Sequence, residues 1–271
     1  MSTGLFGQLH HHRWGLLTIT LVIMLTLSAT AAAVAQPSPS VLLEARIPII
    51  VLDPGHGGTD QGARGPTGLL EKDLTLQIAT EAGRLIEELL GLRVVLTRTD
   101  DSLIPLETRA ALANEAMGDL FISFCTGGSL APRYRGFQAF YFDELQGGLP
   151  AVREQANNLQ RPSQEEERLR SEGGPPKPVL WDQAQLEFIE TSQTFARMLH
   201  KNLRAQVGEE GQGVFGLPIL LLRWVRMPAV LVDLGPLSDP EFANKLRDEA
   251  YLQRAALGIA QAVNDYQALQ R

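Results

Sequence analysis

The chain of 271 residues is poor in cysteine and histidine. Cys125 is the only cysteine, which excludes an internal disulfide and leaves a thiol that is either a small buried apolar group or a chemically active one. Three of the five histidines stand together at residues 10–12, so only His56 and His200 remain for the rest of the chain. Imidazole groups are therefore scarce outside the N-terminal segment.

Positive charge is also in deficit. The formal net charge is −7, with 24 Lys and Arg against 31 Asp and Glu. Proteins that bind nucleic acid through its phosphates usually present a basic surface. This balance argues against a nucleic-acid partner.

Residues 1–35 contain a single Lys or Arg, Arg13, and no acidic residue. Arg13 is followed by the apolar run Trp14–Leu27 and by small residues that end in Ala33-Val34-Ala35. A basic start, a short apolar segment and an A-x-A site predict a secretory signal peptide, and hence export to the periplasm or cell envelope. The alternative is an uncleaved N-terminal anchor, because the uncharged stretch approaches the length of a membrane span. If the signal is cleaved, no stable membrane insertion is expected.

Residues 36–45 follow as a short linker that begins with a Pro/Ser run, and residues 46–271 alternate between strand-like and helix-like patterns. Strands are predicted at residues 47–52, 92–97, 120–124, 136–142, 217–222 and 229–234. Helices are predicted at 71–90, 105–117 and 185–206, then at a short segment opened by a capping box of Ser238 and Glu241, and at a last segment carrying Leu252 to Tyr266. This order predicts one α/β domain with a mostly parallel sheet of about six strands and helices on both faces.

Residues 144–181 break this alternation. The stretch is rich in glycine and proline and contains the polar run QEEERLR at residues 164–170. A segment of this length without a periodic pattern is uncommon inside a compact domain and is usually a lid, a binding loop or a disordered loop. We favour a disordered insertion, and a regulatory protein is a candidate partner there.

Polar side chains collect at the carboxyl ends of the predicted strands, the edge at which open α/β sheets bind ligands. His56 follows the first strand, Cys125 the third, and Asp233 ends the last, while Glu71 begins the first helix. An imidazole, a carboxylate and a thiolate can form a three-ligand zinc site with an open fourth position, and a second carboxylate can act as general base. Taken alone, the spacing is a weak signal and favours ordinary structural roles for these residues: a turn histidine, a surface glutamate, a buried cysteine and a capping aspartate.

Four segments of the chain favour the zinc site over these structural roles. They read IVLDPGHGGTDQGARGPTGLLEKDL, VVLTRTDD, LETRAALANEAMGDLFIS and MPAVLVDLGPLSDPEF. In this order and spacing the chain resembles the zinc-dependent N-acetylmuramoyl-L-alanine amidases, from about Ile47 to Tyr266 without the insertion. The resemblance implies a twisted six-stranded α/β sheet, export to the cell envelope, and hydrolysis of the amide between muramic acid and L-alanine in peptidoglycan or muropeptides. It places His56 and Glu71 as ligands of Zn²⁺.

Two positions depart from that family. Cys125 stands where the family has a third ligand, a histidine, and Asp233 stands where it has the catalytic glutamate. A thiolate binds zinc at about 2.3 Å, but together with Glu71 it cancels the metal's formal charge and makes a poorer Lewis acid. Aspartate withdraws the carboxylate by one methylene, and a misplacement of ~1 Å can cost about 10²-fold in rate. His200 is a candidate replacement ligand, although its place on an amphipathic helix favours a surface position.

These departures leave two functions in competition. The first is an exported zinc amidase with His56, Glu71 and Cys125 on the metal and Asp233 as general base. The second is a catalytically impaired or inactive homologue that binds cell-wall fragments or a partner protein. Phosphate binding by the DPGHGG loop is disfavoured, because the chain lacks a P-loop Lys-Ser/Thr pair and a G-x-G-x-x-G motif.

Overall fold

A mixed sheet of six strands forms the centre of the protein. The computed structural model describes residues 46–126, 136–144, 168 and 184–271. The strands are Ile49–Pro54 (β1), Arg93–Leu96 (β2), Leu120–Cys125 (β3), Gln138–Phe142 (β4), Gly213–Leu217 (β5) and Ala229–Asp233 (β6). They run in the order β2-β1-β3-β6-β4-β5, and every neighbouring pair is parallel except β4 and β6. This confirms the predicted mostly parallel sheet of about six strands.

Helices cover both faces of the sheet. Those in the described residues are Glu71–Leu90 (α1), Leu106–Glu115 (α2), Ile189–Val207 (α3), Leu220–Trp224 (α4), Pro240–Arg247 (α5) and Glu249–Leu269 (α6), with a 3₁₀ helix at Ala184–Phe188. One apolar core joins a face of the sheet to α1, α3, α5 and α6. A second, smaller core joins the other face to α2 and α4. The predicted two-sided α/β arrangement is therefore confirmed.

Local sequence explains the two elements that carry the site. All six residues of β1 are buried, as its continuous apolar run predicts for a strand covered on both faces. Helix α1 buries an apolar stripe with helical spacing that includes Leu74, Ile78, Ala82 and Ile86. Gly91 ends α1 with φ 65°, a left-handed conformation that suits glycine.

The antiparallel pairing of β4 and β6 shapes the edge at which β6 ends. Cys125 of β3 is in register with Asp233 of β6. Gln138, the first residue of β4, is in register with Asp233 from the other side. Residues paired in register project to the same face, so these three side chains form one row across three strands.

Two sequence predictions near the C-terminal half were wrong. Residues 217–222 do not form a strand, because Leu217 ends β5 and α4 begins at Leu220. Pro218 cannot donate to a ladder, and the short leucine run that follows is as compatible with a buried helix as with a strand. The N-cap of α5 is Asp239, whose Oδ1 accepts from the N–H groups of Glu241 and Phe242. Ser238, predicted in that role, lies one residue too early.

The signal peptide or anchor at residues 1–35 and the linker at 36–45 lie outside the described residues. The insertion at 144–181 also lies outside them, except for Glu144 and Arg168. No helix within the described part of the chain is long and apolar enough to cross a membrane.

Candidate metal centre

The loop that carries His56 is held in an unusual backbone conformation. His56 has φ 60°, and Gly57 and Gly58 have φ 135° and 58°. A Cβ at Gly57 would lie 2.1 Å from the carbonyl oxygen of Ser102, so only glycine fits there. The run of positive φ values turns the chain sharply after β1 and leaves the imidazole at the carboxyl edge of the sheet.

His56 and Glu71 face each other across this edge. The distance from His56 Nε2 to Glu71 Oε2 is 3.2 Å. Two ligand atoms that bind one tetrahedral zinc at about 2.0–2.1 Å lie about 3.3–3.4 Å apart. The pair is therefore spaced as two ligands of a zinc ion would be, which fits the predicted roles of both residues.

The second nitrogen of the imidazole is fixed by a carboxylate. His56 Nδ1 lies 2.8 Å from Asp60 Oδ2. Histidines that bind metals usually donate their other ring nitrogen to such a partner, which sets the tautomer and the ring orientation. Asp60 therefore directs Nε2 towards Glu71.

The Glu71 carboxylate is buried and held by two backbone N–H groups. Ala63 N–H donates to Oε2 at 2.8 Å, and Thr126 N–H donates to Oε1 at 2.7 Å. Space beside the pair is reserved by Gly62, where a Cβ would lie 2.7 Å from both Glu71 Oε2 and His56 Cδ2. Hydrogen bonds from the surrounding protein therefore hold both side chains in place before any metal binds.

The electrostatics of the pair favour opposite charges. Burial alone would lower the pKa of His56, but the charge of Glu71 and the hydrogen bonds to Asp60 and Glu71 outweigh burial and raise the pKa to about 10. Burial would raise the pKa of Glu71, yet the neighbouring His56 holds it below its usual range. The imidazole is then a cation at neutral pH, and a metal ion must displace its proton in order to bind.

Cys125 ends β3 and is buried at 5 % exposure within the smaller apolar core. Across the described residues, no group of three His, Cys, Asp or Glu side chains is arranged to hold a metal ion. The structure therefore brings His56 and Glu71 together without adding Cys125 to them. Its role as third ligand stays a prediction.

Asp233 is 1 % exposed, and both of its carboxylate oxygens accept hydrogen bonds. Gly235 N–H donates to Oδ1 at 2.9 Å, and the Gln138 amide donates to Oδ2 at 3.3 Å. Asp233 reaches the carboxyl edge of the sheet as predicted, but its carboxylate is occupied by protein donors.

His200 lies on α3, half-buried beside the ring of Phe137 at a centroid distance of 5.1 Å. Burial lowers its pKa, and within the described part of the chain its buried Nε2 has no hydrogen-bond partner. It belongs to no metal-binding group there. His200 is thus more buried than the sequence predicted.

Sequence reasoning missed the residues that support the pair. Asp60 follows His56 by four residues in the motif HGGTD, and this short spacing was the signal that a carboxylate lay within reach. Arg98 and Arg109 donate to the carbonyl groups of the same loop. Nothing in local sequence identifies those arginines, because each reaches the loop from a distant element.

Comparison with known proteins decides the family. Residues 50–265 match the family model described as N-acetylmuramoyl-L-alanine amidase. The chain belongs to this family. The resemblance found in the sequence motifs is thereby confirmed over most of the chain.

Several amidases of this family are similar to the chain. AmiC of Neisseria meningitidis serogroup B is 31% identical over 238 residues, which cover 85% of this chain and 55% of the relative. AmiA of Escherichia coli K12 is 28% identical over 220 residues, covering 80% and 75%. The chain therefore spans about half the length of the AmiC relative.

The fold agrees with solved amidases. The crystal structure of an N-acetylmuramoyl-L-alanine amidase from Clostridium difficile 630 superposes with a TM-score of 0.62 at 24% identity, covering 82% of this chain and 97% of that one. The similarity confirms the α/β amidase fold.

Proposed function

We propose that this chain is an exported, zinc-dependent N-acetylmuramoyl-L-alanine amidase. Its substrate would be peptidoglycan or muropeptides, cut at the amide between N-acetylmuramic acid and the L-alanine of the stem peptide. The observation that carries the proposal is the 3.2 Å separation of His56 Nε2 and Glu71 Oε2 at the ligand-binding edge of the sheet. The relatives named as N-acetylmuramoyl-L-alanine amidases support the reaction.

Each residue of the metal site has a proposed role. His56 and Glu71 would hold the metal, with Cys125 as the proposed third ligand. When bound, zinc supplies Lewis acidity for the attack of water on an amide carbonyl. Asp60 keeps the Nε2 of His56 directed at the metal position, and the backbone N–H groups of Ala63 and Thr126 keep the Glu71 carboxylate in place.

Asp233 is the proposed general base. Its Oδ2 accepts the longer of the two hydrogen bonds described above, 3.3 Å from the Gln138 amide. This oxygen is therefore the one more available to accept a proton from water. Its Oδ1 stays tied to Gly235 N–H at 2.9 Å. A carboxylate oxygen can accept more than one hydrogen bond, so Oδ2 can act as a base while it still accepts from Gln138.

A second function is favoured by the same two positions. Asp233 is buried with both oxygens bonded, and the described residues contain no three-residue metal group that includes Cys125. An impaired or inactive homologue would keep the family fold and bind cell-wall fragments or a partner protein. A regulatory protein at residues 144–181 also stays a prediction.

Zinc content and peptidoglycan hydrolysis separate the two functions. We would measure stoichiometric metal in the purified exported chain and dye release from labelled peptidoglycan, with Glu71→Ala as the matched control. Dye release that Glu71→Ala abolishes supports the amidase. Wall binding without dye release and without zinc supports the impaired homologue.

The role of Cys125 has its own test. A thiolate on a metal is shielded from alkylation, so added zinc should slow its labelling and a chelator should restore it. As the only cysteine, Cys125 accounts for all labelling. Equal labelling rates with and without zinc would remove it from the metal centre.

A further inference from the structure

Arg98 is buried at 3 % exposure, and all of its hydrogen bonds within the described residues go to neutral acceptors. Nε donates to Pro54 O at 3.0 Å and Nη1 to Asp100 O at 2.9 Å. Nη2 lies 2.9 Å from Gly55 O, 2.8 Å from Lys72 O and 3.1 Å from Thr75 Oγ1. The guanidinium is thus surrounded by backbone carbonyls.

Two of those carbonyls flank the metal-ligand residues. Gly55 directly precedes His56, and Lys72 directly follows Glu71. A single nitrogen, Nη2 of Arg98, bonds both. The loop after β1 and the first turn of α1 are therefore joined through one nitrogen, at residues adjacent in sequence to the two whose side chains lie 3.2 Å apart.

This placement is not explained by stability alone. Burial lowers the pKa of Arg98, and the nearby Arg109 guanidinium lowers it further, although arginine stays charged in proteins. A buried cation is unfavourable unless hydrogen bonds satisfy it, and an apolar side chain of similar volume is often the more stable choice. What an apolar side chain cannot do is hold two carbonyl groups at a fixed separation.

Arg109 provides an internal contrast. It also donates to the loop, with Nη2 2.7 Å from His56 O, but it has a carboxylate partner, Asp53, at 2.9 Å. Among the residues that the structure describes, none of its hydrogen bonds reaches α1. Arg109 fixes the loop to β1, whereas Arg98 fixes the loop to the helix that carries Glu71.

We propose that Arg98 is the positioning residue that sets the separation of His56 and Glu71, a role that rests on the proposed function of this pair as metal ligands. The planar fork of arginine presents several N–H donors in a rigid arrangement, and the single ammonium of lysine cannot reproduce it. Thr75 assists, because its hydroxyl also lies between the two segments, 2.7 Å from Gly55 O and 3.1 Å from Lys72 O.

Zinc affinity in Arg98→Lys tests the proposal. The substitution keeps the charge and loses the fork, and we expect the zinc dissociation constant to rise about 10–100-fold, the usual effect of losing a residue that orients a metal ligand. Competition with a chromophoric chelator measures it. Two controls should bind zinc as the original protein does: Arg84→Lys, an exposed arginine on α1, and Val263→Ala, a truncation on α6 that lowers stability without removing a hydrogen bond from the site.

Thr75→Val keeps the test informative if Arg98→Lys folds poorly. This substitution is nearly isosteric and removes the hydroxyl that lies between Gly55 O and Lys72 O. It should also weaken zinc binding, by a smaller factor than Arg98→Lys. A purely structural role would lower the melting temperature of the Arg98 and Thr75 variants while leaving the zinc affinity of the folded protein at the level of Val263→Ala.

The metal-free protein supplies a readout that does not depend on zinc. Imidazole ¹⁵N spectra report whether both ring nitrogens of His56 are hydrogen-bonded, and Arg98→Lys should lose the signature of the Nε2 contact with Glu71 while Val263→Ala keeps it. If the original protein binds no zinc, the proposed function fails and these spectra alone decide the positioning role. Unchanged spectra with unchanged zinc affinity would overturn it.

Discussion

Cys125 and Asp233 are register partners on the adjacent parallel strands β3 and β6. Their side chains project to the same face at the carboxyl edge of the sheet. These are also the two positions at which the sequence motifs predict a departure from the family pattern. The two predicted departures therefore share one patch of the protein and are expected to act on each other.

Restoring both residues should raise activity by more than the product of the single changes. Cys125→His returns a neutral ligand, which leaves the metal more positive, and Asp233→Glu returns the reach of the base. Neighbouring groups that act as a unit are non-additive, so we expect at least about a tenfold gain for the double variant in dye release from labelled peptidoglycan.

Glu71→Ala serves as the control in each of these backgrounds. Activity of the double variant that survives Glu71→Ala would not be metal-dependent hydrolysis at this site. If the double variant binds zinc and remains as inactive as the original chain, these two positions are not what limits it.

Gly62 should not tolerate a side chain, for a reason specific to the site. Gly62→Ala places a Cβ 2.7 Å from Glu71 Oε2 and His56 Cδ2 at φ 64°. Gly68→Ala is the matched control, because its φ is 82° but nothing lies within 4 Å of the added atom. Both variants should lose about 1–2 kcal/mol of folding free energy from the left-handed backbone.

Only Gly62→Ala should also displace the His56–Glu71 pair and weaken zinc binding, by more than about tenfold. Thermal unfolding and chelator competition measure the two effects separately. Equal zinc affinity in the two alanine variants would contradict the crowding argument.

Asp60→Asn should weaken zinc binding while leaving the fold intact. The neutral amide is nearly isosteric and its oxygen can still accept from His56 Nδ1, which lies 2.8 Å from the Asp60 carboxylate, but it makes Nε2 a less basic ligand than the carboxylate does. We expect a loss of about 10–100-fold in zinc affinity, measured by competition titration. Asp73→Asn, an exposed acidic residue on α1, removes the same charge without touching His56 and should show no such loss.

His200 should make the protein less stable as the pH falls below neutrality. Burial holds the pKa of His200 below its ordinary value of 6.5. As the pH drops through 6.5 the unfolded chain takes up a proton that the folded chain refuses, so stability declines until the pH reaches the lower, folded-state pKa. The effect is modest, because the side chain is only half-buried and partly screened.

The stability difference between the original protein and His200→Leu isolates this contribution from all other titrating groups. Measured by thermal unfolding, that difference should shift in favour of His200→Leu between pH 7.5 and 5.5. A difference that is constant across this range would show that His200 titrates alike in the folded and unfolded chain.

The sequence predicted best where local chemistry determines structure. The apolar run before Asp53 predicted a buried strand. The helical spacing of Leu74, Ile78, Ala82, Leu85 and Leu89 predicted a helix face, although Leu89 is exposed in the structure. His56 and Glu71 became candidates because each lies at an end of such an element, and the resemblance to the amidase family assigned them as metal ligands. Topology brings the two residues into the same region, since β1 and α1 are consecutive, but their 3.2 Å separation depends on contacts that hold the loop and the helix together.

Other features depend on contacts that no local pattern encodes. Strand β5 has the sequence GVFGL, which is too rich in glycine to stand out and forms because β4 offers it a parallel partner. The hydrogen bond to Oδ2 of Asp233 comes from Gln138, which is 95 residues away in sequence. Arg98 reaches Gly55 across 43 residues.

The backbone of the loop around His56 has a consequence for the history of the family. Gly57 would collide with Ser102 O at 2.1 Å if it carried a Cβ, and Gly58 would meet the backbone and side chain of Leu103 at 3.0 Å. These collisions do not involve substrate or metal. A descendant that had stopped hydrolysing its substrate would still be selected to keep both glycines in order to fold, so the HGG motif records ancestry and outlasts turnover.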